Sequence, residues 1–210
     1  MPRRLATGDP DVWRRAVDAT NPASMLVAIR SRMGAELQRH LAPEDVWQET
    51  LLRAWQARSG FTWSGAPAFR RWLITIADHC IADQRDHAHA QKRDRSKTRP
   101  LVTAPASDSS ARPNDAAEPW SSTSPSRIAV AREQAEKMAE ALASLPDELR
   151  EVVRLRLFED LQIDEIAARL RLGESAVRHR FRRGAELYRS RLRELLRSTT
   201  LGEAGAAGEA

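Results

Sequence analysis

Three apolar runs at helical spacing, two of them meeting at a three-residue corner, constrain this chain more than any other feature. The runs are Leu149, Val152, Val153, Leu157; then Ile163, Ile166, Ala167, Leu170; then Val177, Phe181, Tyr188, Leu192. Only Arg171, Leu172 and Gly173 separate the second from the third. That is the length and the glycine of a helix-turn-helix corner, in which two short helices pack at a steep angle. The third helix is expected to turn Ser175, Arg178, His179, Arg182 and Glu186 to solvent. Polar, mostly cationic side chains at a helix's leading end are what contact with base edges and phosphates in the major groove requires. Glu174, in the first turn, suits the positive end of the helix dipole. The same face would also suit the solvated side of an ordinary three-helix bundle, but charge sign and corner spacing together favour DNA.

Charge is unevenly placed. The chain carries 34 Lys+Arg against 29 Asp+Glu, a formal net charge of +5 over 210 residues. Residues 169–197 hold ten Arg against Glu174, Glu186 and Glu194, or +7, and residues 85–99 hold six Lys/Arg against Asp86 and Asp94, or +4. Two basic zones on a near-neutral background point to two contacts with a polyanion. The single Cys80 excludes an internal disulfide and fits a reducing compartment. No apolar run approaches the ~20 residues of a membrane span, and Met1-Pro2-Arg3-Arg4-Leu5 lacks a signal-peptide core. A soluble, cytoplasmic protein is expected.

Along the chain, residues 1–9 read as a loose arm. A short helix holds Val12, Trp13, Ala16 and Val17 and is broken by Asn21-Pro22. A longer one, Ser24 to His40, carries Met25, Leu26, Ile29, Met33 and Leu37. Pro43, Glu44 and Asp45 form the first turn of the next, which runs to about Arg58. Gly60 to Pro67 is a loop containing Phe61 and Trp63. The strongest stripe follows, with Phe69, Trp72, Leu73, Ile76, Ala77, Cys80 and Ile81 on one side. Arg70, Arg71, Asp78, His79, Asp83 and Arg85 are expected on the other. Between Pro100 and Pro125, five Pro and six Ser read as an extended linker. A helix from about Ser126 precedes the Leu145-Pro146 break.

The expected fold is therefore all-α: two small helical domains joined by a flexible Pro/Ser-rich linker, the C-terminal one a helix-turn-helix. The boundaries are 1–93 for the first domain, 94–127 for the linker, 128–198 for the second domain and 199–210 for a disordered tail.

The motifs of these two domains resemble the extracytoplasmic-function (ECF) sigma factors, bacterial transcription initiation factors of the two-domain type. Residues 44–55, Glu-Asp-Val-Trp-Gln-Glu-Thr-Leu-Leu-Arg-Ala-Trp, resemble the family's ED-x-x-QE-x-x-x-x-A helix. Residues 69–77, Phe-Arg-Arg-Trp-Leu-Ile-Thr-Ile-Ala, resemble its F-x-x-W-L-x-x-IA helix. Leu145-Pro146, Asp164-Glu165-Ile166-Ala167 and Val177-Arg178-His179-Arg180 are similar to LP, EEIA and V-K-S-R, all in the family's order. The resemblance implies that Asp45, Gln48 and Glu49 dock on core RNA polymerase. It implies that the loop of Phe61, Trp63 and Ser64 captures a flipped base of the −10 element, a task that needs an aromatic pocket and edge hydrogen bonds. For Phe61, tucking into the core is an equal alternative. It further places Arg70, Arg71, His79 and Asp83 on −10 DNA, and Ser175, Arg178, His179, Arg182 and Arg183 on the −35 element. Trp72 fits the apolar stripe and is expected to pack. The sequence departs from the pattern at His79, Ala176 and Gly173, where Asn, Thr and a capping Ser are common. These departures bear on promoter choice more than on class.

The partners implied are core RNA polymerase and promoter DNA, with an anti-sigma factor left open; no membrane, small-molecule substrate or cofactor is implied. The competing reading is a conventional helix-turn-helix regulator with a helical sensor domain. The first domain's motifs argue against it, because a repressor does not need to melt DNA. An enzyme is the third class. His79, Cys80, Asp83, His87 and His89 superficially suggest a metal cluster, but Cys80 belongs to the apolar stripe and the histidines lack a ligand frame. No phosphate loop and no nucleophile motif occurs, so no catalytic residue and no metal site is expected.

Overall fold

The computed structural model describes residues 9–97 and 125–206, which form eight α-helices and no β-strand. They are α1 (Pro10–Asp18), α2 (Pro22–Leu37), α3 (Pro43–Ala57), α4 (Ala66–Lys97), α5 (Pro125–Ala143), α6 (Asp147–Leu157), α7 (Ile163–Leu170) and α8 (Glu174–Ala206). Local chemistry sets the starts. Pro occupies the first turn of α1, α2 and α3, where its missing N–H costs no hydrogen bond. Asp9 Oδ1 accepts from the Asp11 amide at 2.8 Å, and Asn21 Oδ1 accepts from Ser24 at 3.2 Å. Asn21 itself takes a left-handed backbone with φ 56°, which turns the chain between α1 and α2.

The all-α expectation holds, with corrections to the element limits. α2 starts at Pro22 and kinks at Gly34, whose φ of 72° is a conformation that glycine adopts without strain. The carbonyls of Arg32 and Met33, exposed by that kink, accept from the Arg85 guanidinium on α4. Arg85 is thus a cap and not only part of a basic run. α4 continues four residues past the expected limit of 93, and α5 begins at Pro125, so only 98–124 of the expected linker lie outside the described residues. α8 runs to Ala206, through most of the tail expected to be disordered from 199. Residues 1–8 and 207–210 also lie outside the described set.

The main core draws on both halves of the chain. Trp13, Met25, Ile29, Met33, Leu51, Phe69 and Leu73 from α1–α4 share one buried cluster with Ala141, Leu142, Leu145, Val153, Phe158 and Tyr188. α5 lies along α2 on one side and against α8 on the other. A smaller cluster of Val152, Leu155, Ile166, Ala167 and Val177 holds α6, α7 and α8 together as the helix-turn-helix. Gly184 makes the α6–α8 crossing possible, since a Cβ there would lie 2.6 Å from Val153 Cγ2 and 3.3 Å from Leu149 Cβ.

Candidate nucleic-acid interface

The corner between α7 and α8 is built by backbone hydrogen bonds. α7 opens with the Gln162 amide donating to Glu165 Oε2 at 2.6 Å, which places an acid where the helix dipole favours it. It closes with Leu172 N–H on the Ala167 carbonyl at 2.9 Å and Arg171 N–H on Ala168 at 3.4 Å, the pairing of a Schellman cap. The left-handed residue of that cap is Arg171, φ 55°, and not Gly173. A Cβ at Gly173 would meet nothing within 4 Å, so the glycine expected to make the turn is not required for it.

Beyond the corner, Ser175, Arg178, His179, Arg182, Arg183 and Glu186 are all exposed on α8, while Val177 is buried against α6 and α7. Arg178 Nη2 donates to Glu174 Oε2 at 2.5 Å, one turn earlier, which steers the guanidinium along the helix. A depression of about 400 Å³ lies on this face, lined by Ile163, Phe181 and Ala185 together with Arg178, Arg182, Arg189 and Glu186. Three guanidiniums against the one carboxylate of Glu186 leave this lining net positive, which favours a phosphate, and Ile163 and Phe181 offer apolar contact beside it.

The first two turns of α3 carry the second candidate surface. Asp45 and Gln48 are exposed; Asp45 Oδ2 accepts from the Ala42 amide at 3.2 Å and so caps its own helix. Glu49 Oε1 accepts from Arg53 Nε at 2.7 Å, and Arg53 Nη1 reaches across to Asp83 Oδ2 on α4 at 2.6 Å. The Asp83 and Glu49 hydrogen bonds, in that order, raise the pKa of Arg53.

Between α3 and α4, a 3-10 turn at Arg58–Gly60 leads into the aromatic loop. Phe61 stacks on Trp72 with centroids 4.6 Å apart and packs edge-on to Phe69 at 5.5 Å. Trp63 is half-buried, tilted on Phe69 at 5.5 Å, and Ser64 is exposed. Gly65, at φ 112°, aims the chain into α4. Phe61 therefore lies on an aromatic shelf with Trp72, while Trp63 and Ser64 form its outer lip. Along α4, Arg71, His79 and Asp83 are exposed.

Arg70 is different. It was expected on the polar face, yet it is buried at 8% exposure. Its Nε donates to Asp160 Oδ2 at 2.7 Å, its Nη1 to the Thr20 carbonyl at 3.1 Å and its Nη2 to the Phe158 carbonyl at 3.2 Å. Burial lowers its pKa, opposed by the Asp160 charge. The buried side of α4 is Phe69, Arg70, Leu73, Ile74, Ala77, Cys80 and Ile81, rotated from the expected stripe so that Trp72 and Ile76 sit at its margin. The signal was present in Ile74, an apolar residue four positions after Arg70 on the side read as polar. Among the described residues no group of three or more His, Cys, Asp and Glu is placed to hold a metal, and Cys80 is buried in the core.

Two family profiles match this chain in the same order as the two surfaces. "Sigma-70 region 2" covers residues 23–93 and "Sigma-70, region 4" covers residues 135–186. The ECF RNA polymerase sigma factor SigL of Mycobacterium tuberculosis is 32% identical over 152 residues, 72% of this chain and 75% of SigL. The chain belongs to the ECF family of RNA polymerase sigma factors. SigD of Mycobacterium bovis, also an ECF sigma factor, is 31% identical over 81% of this chain and 72% of its own. Among solved structures, the sigma factor RpoE in complex with the anti-sigma factor NepR from Bartonella quintana covers 89% of this chain and is itself 98% covered, at 19% identity and TM-score 0.38.

As a member of that family the protein directs RNA polymerase to promoters. The region 2 match contains α2, α3, the aromatic loop and most of α4; the region 4 match contains α6, α7 and the leading end of α8. What sequence reasoning missed is the acidic turn Glu159-Asp160 between α6 and α7. Asp160 stands at φ 56° and holds Arg70. Glu159, its side chain only 8% exposed, is ion-paired to Arg154, to Arg169 at 3.6 Å and to Arg32 on α2 at 3.8 Å. No local pattern marks the pairings with Arg32 and Arg70, because these partners on α2 and α4 lie far off in sequence.

Proposed function

We propose that this sigma factor works by binding and not by covalent chemistry: α3 grips core polymerase, the aromatic loop and α4 hold melted −10 DNA, and α8 docks on the −35 duplex. The observation that carries this reading is the leading end of α8, where Ser175, Arg178, His179, Arg182 and Arg183 stand exposed within the region 4 match. Lys and Arg contacts to phosphate supply salt-dependent affinity, and the polar side chains at the helix start supply sequence choice. Asp45, Gln48 and Glu49 offer carboxylates and an amide from one helical turn to a polymerase surface. Trp63 and Ser64, on the lip of the Phe61–Trp72 shelf, give an unstacked base a ring and a hydroxyl. Arg71, His79 and Asp83 line the exposed side of α4 beside it. The site of action is the cytoplasm, where polymerase and promoter are found; no described helix is long and apolar enough to cross a membrane.

In vitro transcription with bacterial core polymerase on a promoter library tests the reading. Core-dependent transcripts sharing two spaced elements are expected, and replacing Trp63 and Ser64 by Ala shifts the −10 preference. Failure of the wild-type chain to associate with core polymerase would overturn it.

A further inference from the structure

Aromatic rings from α1, α3, α4 and the loop before α4 form one network with Phe69 at its centre. Phe69 is wholly buried. It meets Phe61 and Trp63 of the loop at 5.5 Å each, and Trp72 of its own helix at 5.7 Å. The remaining contact comes from outside the loop and α4: Trp13 of α1 lies edge-on to Phe69 at 5.7 Å, with the ring planes 85° apart. Trp13 makes a second edge contact with Trp55 of α3, at 5.3 Å and 79°. Trp55 is itself held, since the Arg58 guanidinium lies 4.0 Å over its ring and donates to its carbonyl at 2.7 Å. Local bonds fix α1 in turn: the Trp13 amide donates to the Asp9 carbonyl at 3.1 Å, and Asp9 Oδ1 accepts from Asp11. α1 ends at Asp18, ahead of residue 23 where the region 2 match begins.

Edge-to-face rings hold a preferred geometry, because the positive rim of one meets the negative face of the other. A close-packed interior has little slack, so a displaced ring passes its shift to its neighbours. Phe69 is the ring that Trp13 shares with the loop, and the loop's own contacts with it carry any shift to Phe61 and Trp63. We propose that Trp13 is a positioning residue for base capture. At 2% exposure it does not touch DNA; it fixes Phe69, and Phe69 sets the Phe61–Trp72 shelf and the Trp63 lip. This inference rests on the reading of that loop as the −10 base site. Stacking an unpaired base needs a ring held at a fixed height. A misplacement of about 1 Å from a remote change can cost on the order of 100-fold in such a site.

The test uses the full chain with core polymerase and compares Trp13→Leu, which removes the ring, with Trp13→Phe, which keeps a shorter edge. Discrimination is read as the ratio of transcripts from two promoters that differ only at the captured −10 base. Core polymerase affinity and −35 duplex affinity are measured beside it, each variant being assayed equally far below its own melting temperature. Trp13→Leu is expected to lower discrimination about tenfold and Trp13→Phe about twofold, with both affinities unchanged. Ile29→Val, a buried α2 change outside the ring network, is the control and should keep wild-type discrimination. Unchanged discrimination in folded Trp13→Leu overturns the proposal, and so does an equal loss in Ile29→Val, which would mark a general effect of core loosening. Should Trp13→Leu not fold, Trp13→Phe decides alone, and wild-type discrimination in that variant overturns the proposal. Replacing Trp63 and Ser64 by Ala in the same assay separates the two failures. If that change leaves discrimination intact, the base-capture reading itself falls; if it lowers discrimination while the Trp13 variants do not, only the role of Trp13 falls.

Discussion

Arg53 on α3 and Asp83 on α4 are joined by a 2.6 Å hydrogen bond from Nη1 to Oδ2, and the same guanidinium holds Glu49 at 2.7 Å. One cation therefore fixes a carboxylate proposed for polymerase and one proposed for −10 DNA. Exposed pairs of this kind contribute little to stability, typically under ~1 kcal/mol. Arg53→Met is expected to leave thermal unfolding nearly unchanged while weakening core polymerase binding several-fold. A large drop in melting temperature with intact polymerase affinity would assign the pair a purely structural role.

The α6–α8 crossing predicts a penalty at Gly184. A methyl group there meets Val153 and Leu149, both fully packed, and overpacking of this kind costs roughly 1–3 kcal/mol. Gly184→Ala should lower the urea midpoint without changing the slope, and Gly184→Val should lower it further. Gly173→Ser, with open space around its Cβ at the capping position of α8, should be neutral or slightly stabilising in the same assay.

On α8, Arg178→Ala or Arg182→Ala is expected to weaken −35 recognition and leave polymerase binding intact. If these side chains contact phosphate, each change should reduce the salt slope of duplex binding by about 1. Gel-shift titrations at several salt concentrations, run beside a polymerase pull-down, check both halves. Equal loss of the two functions would contradict the division of labour between α3 and α8.

Tyr188 is the chain's only tyrosine, so its ionisation can be followed alone by ultraviolet absorbance. Burial pushes its pKa up from 10.0 to about 12. The folded state thus keeps the proton that the unfolded chain releases. The stability this confers is complete below pH 10.0 and is lost as pH rises through about 12. An absorbance titration should show a midpoint near 12 for the native protein and near 10 in urea. Coincident midpoints would mean that the ring is solvated.

Much of the fold was legible because helices announce themselves locally. The Pro and Asp starts, the apolar runs of α6–α8 and the exposed row from Ser175 to Arg182 all depend on residues within a few turns of one another. Arg70 was misplaced for the opposite reason: its acceptors, Thr20, Phe158 and Asp160, come from two distant turns, and a charged residue reads as solvated until its partners are seen. The role given to Gly173 failed on smaller grounds, since an arginine at 171 took up the left-handed turn that a glycine adopts more cheaply. Gly184 looked unremarkable because its requirement is set by Val153 and Leu149 across the crossing. The packing of α5 along α2 carried no local mark either, because an apolar stripe does not name its partner.

The apolar cluster that takes Trp13 and Phe69 from one end of the chain and Leu145 and Phe158 from the other makes the closed molecule a single cooperative unit. Warming it should give one calorimetric peak and not a pair, because neither end can melt without wetting the other. Either end taken alone would lose the part of its buried surface that the other end supplies.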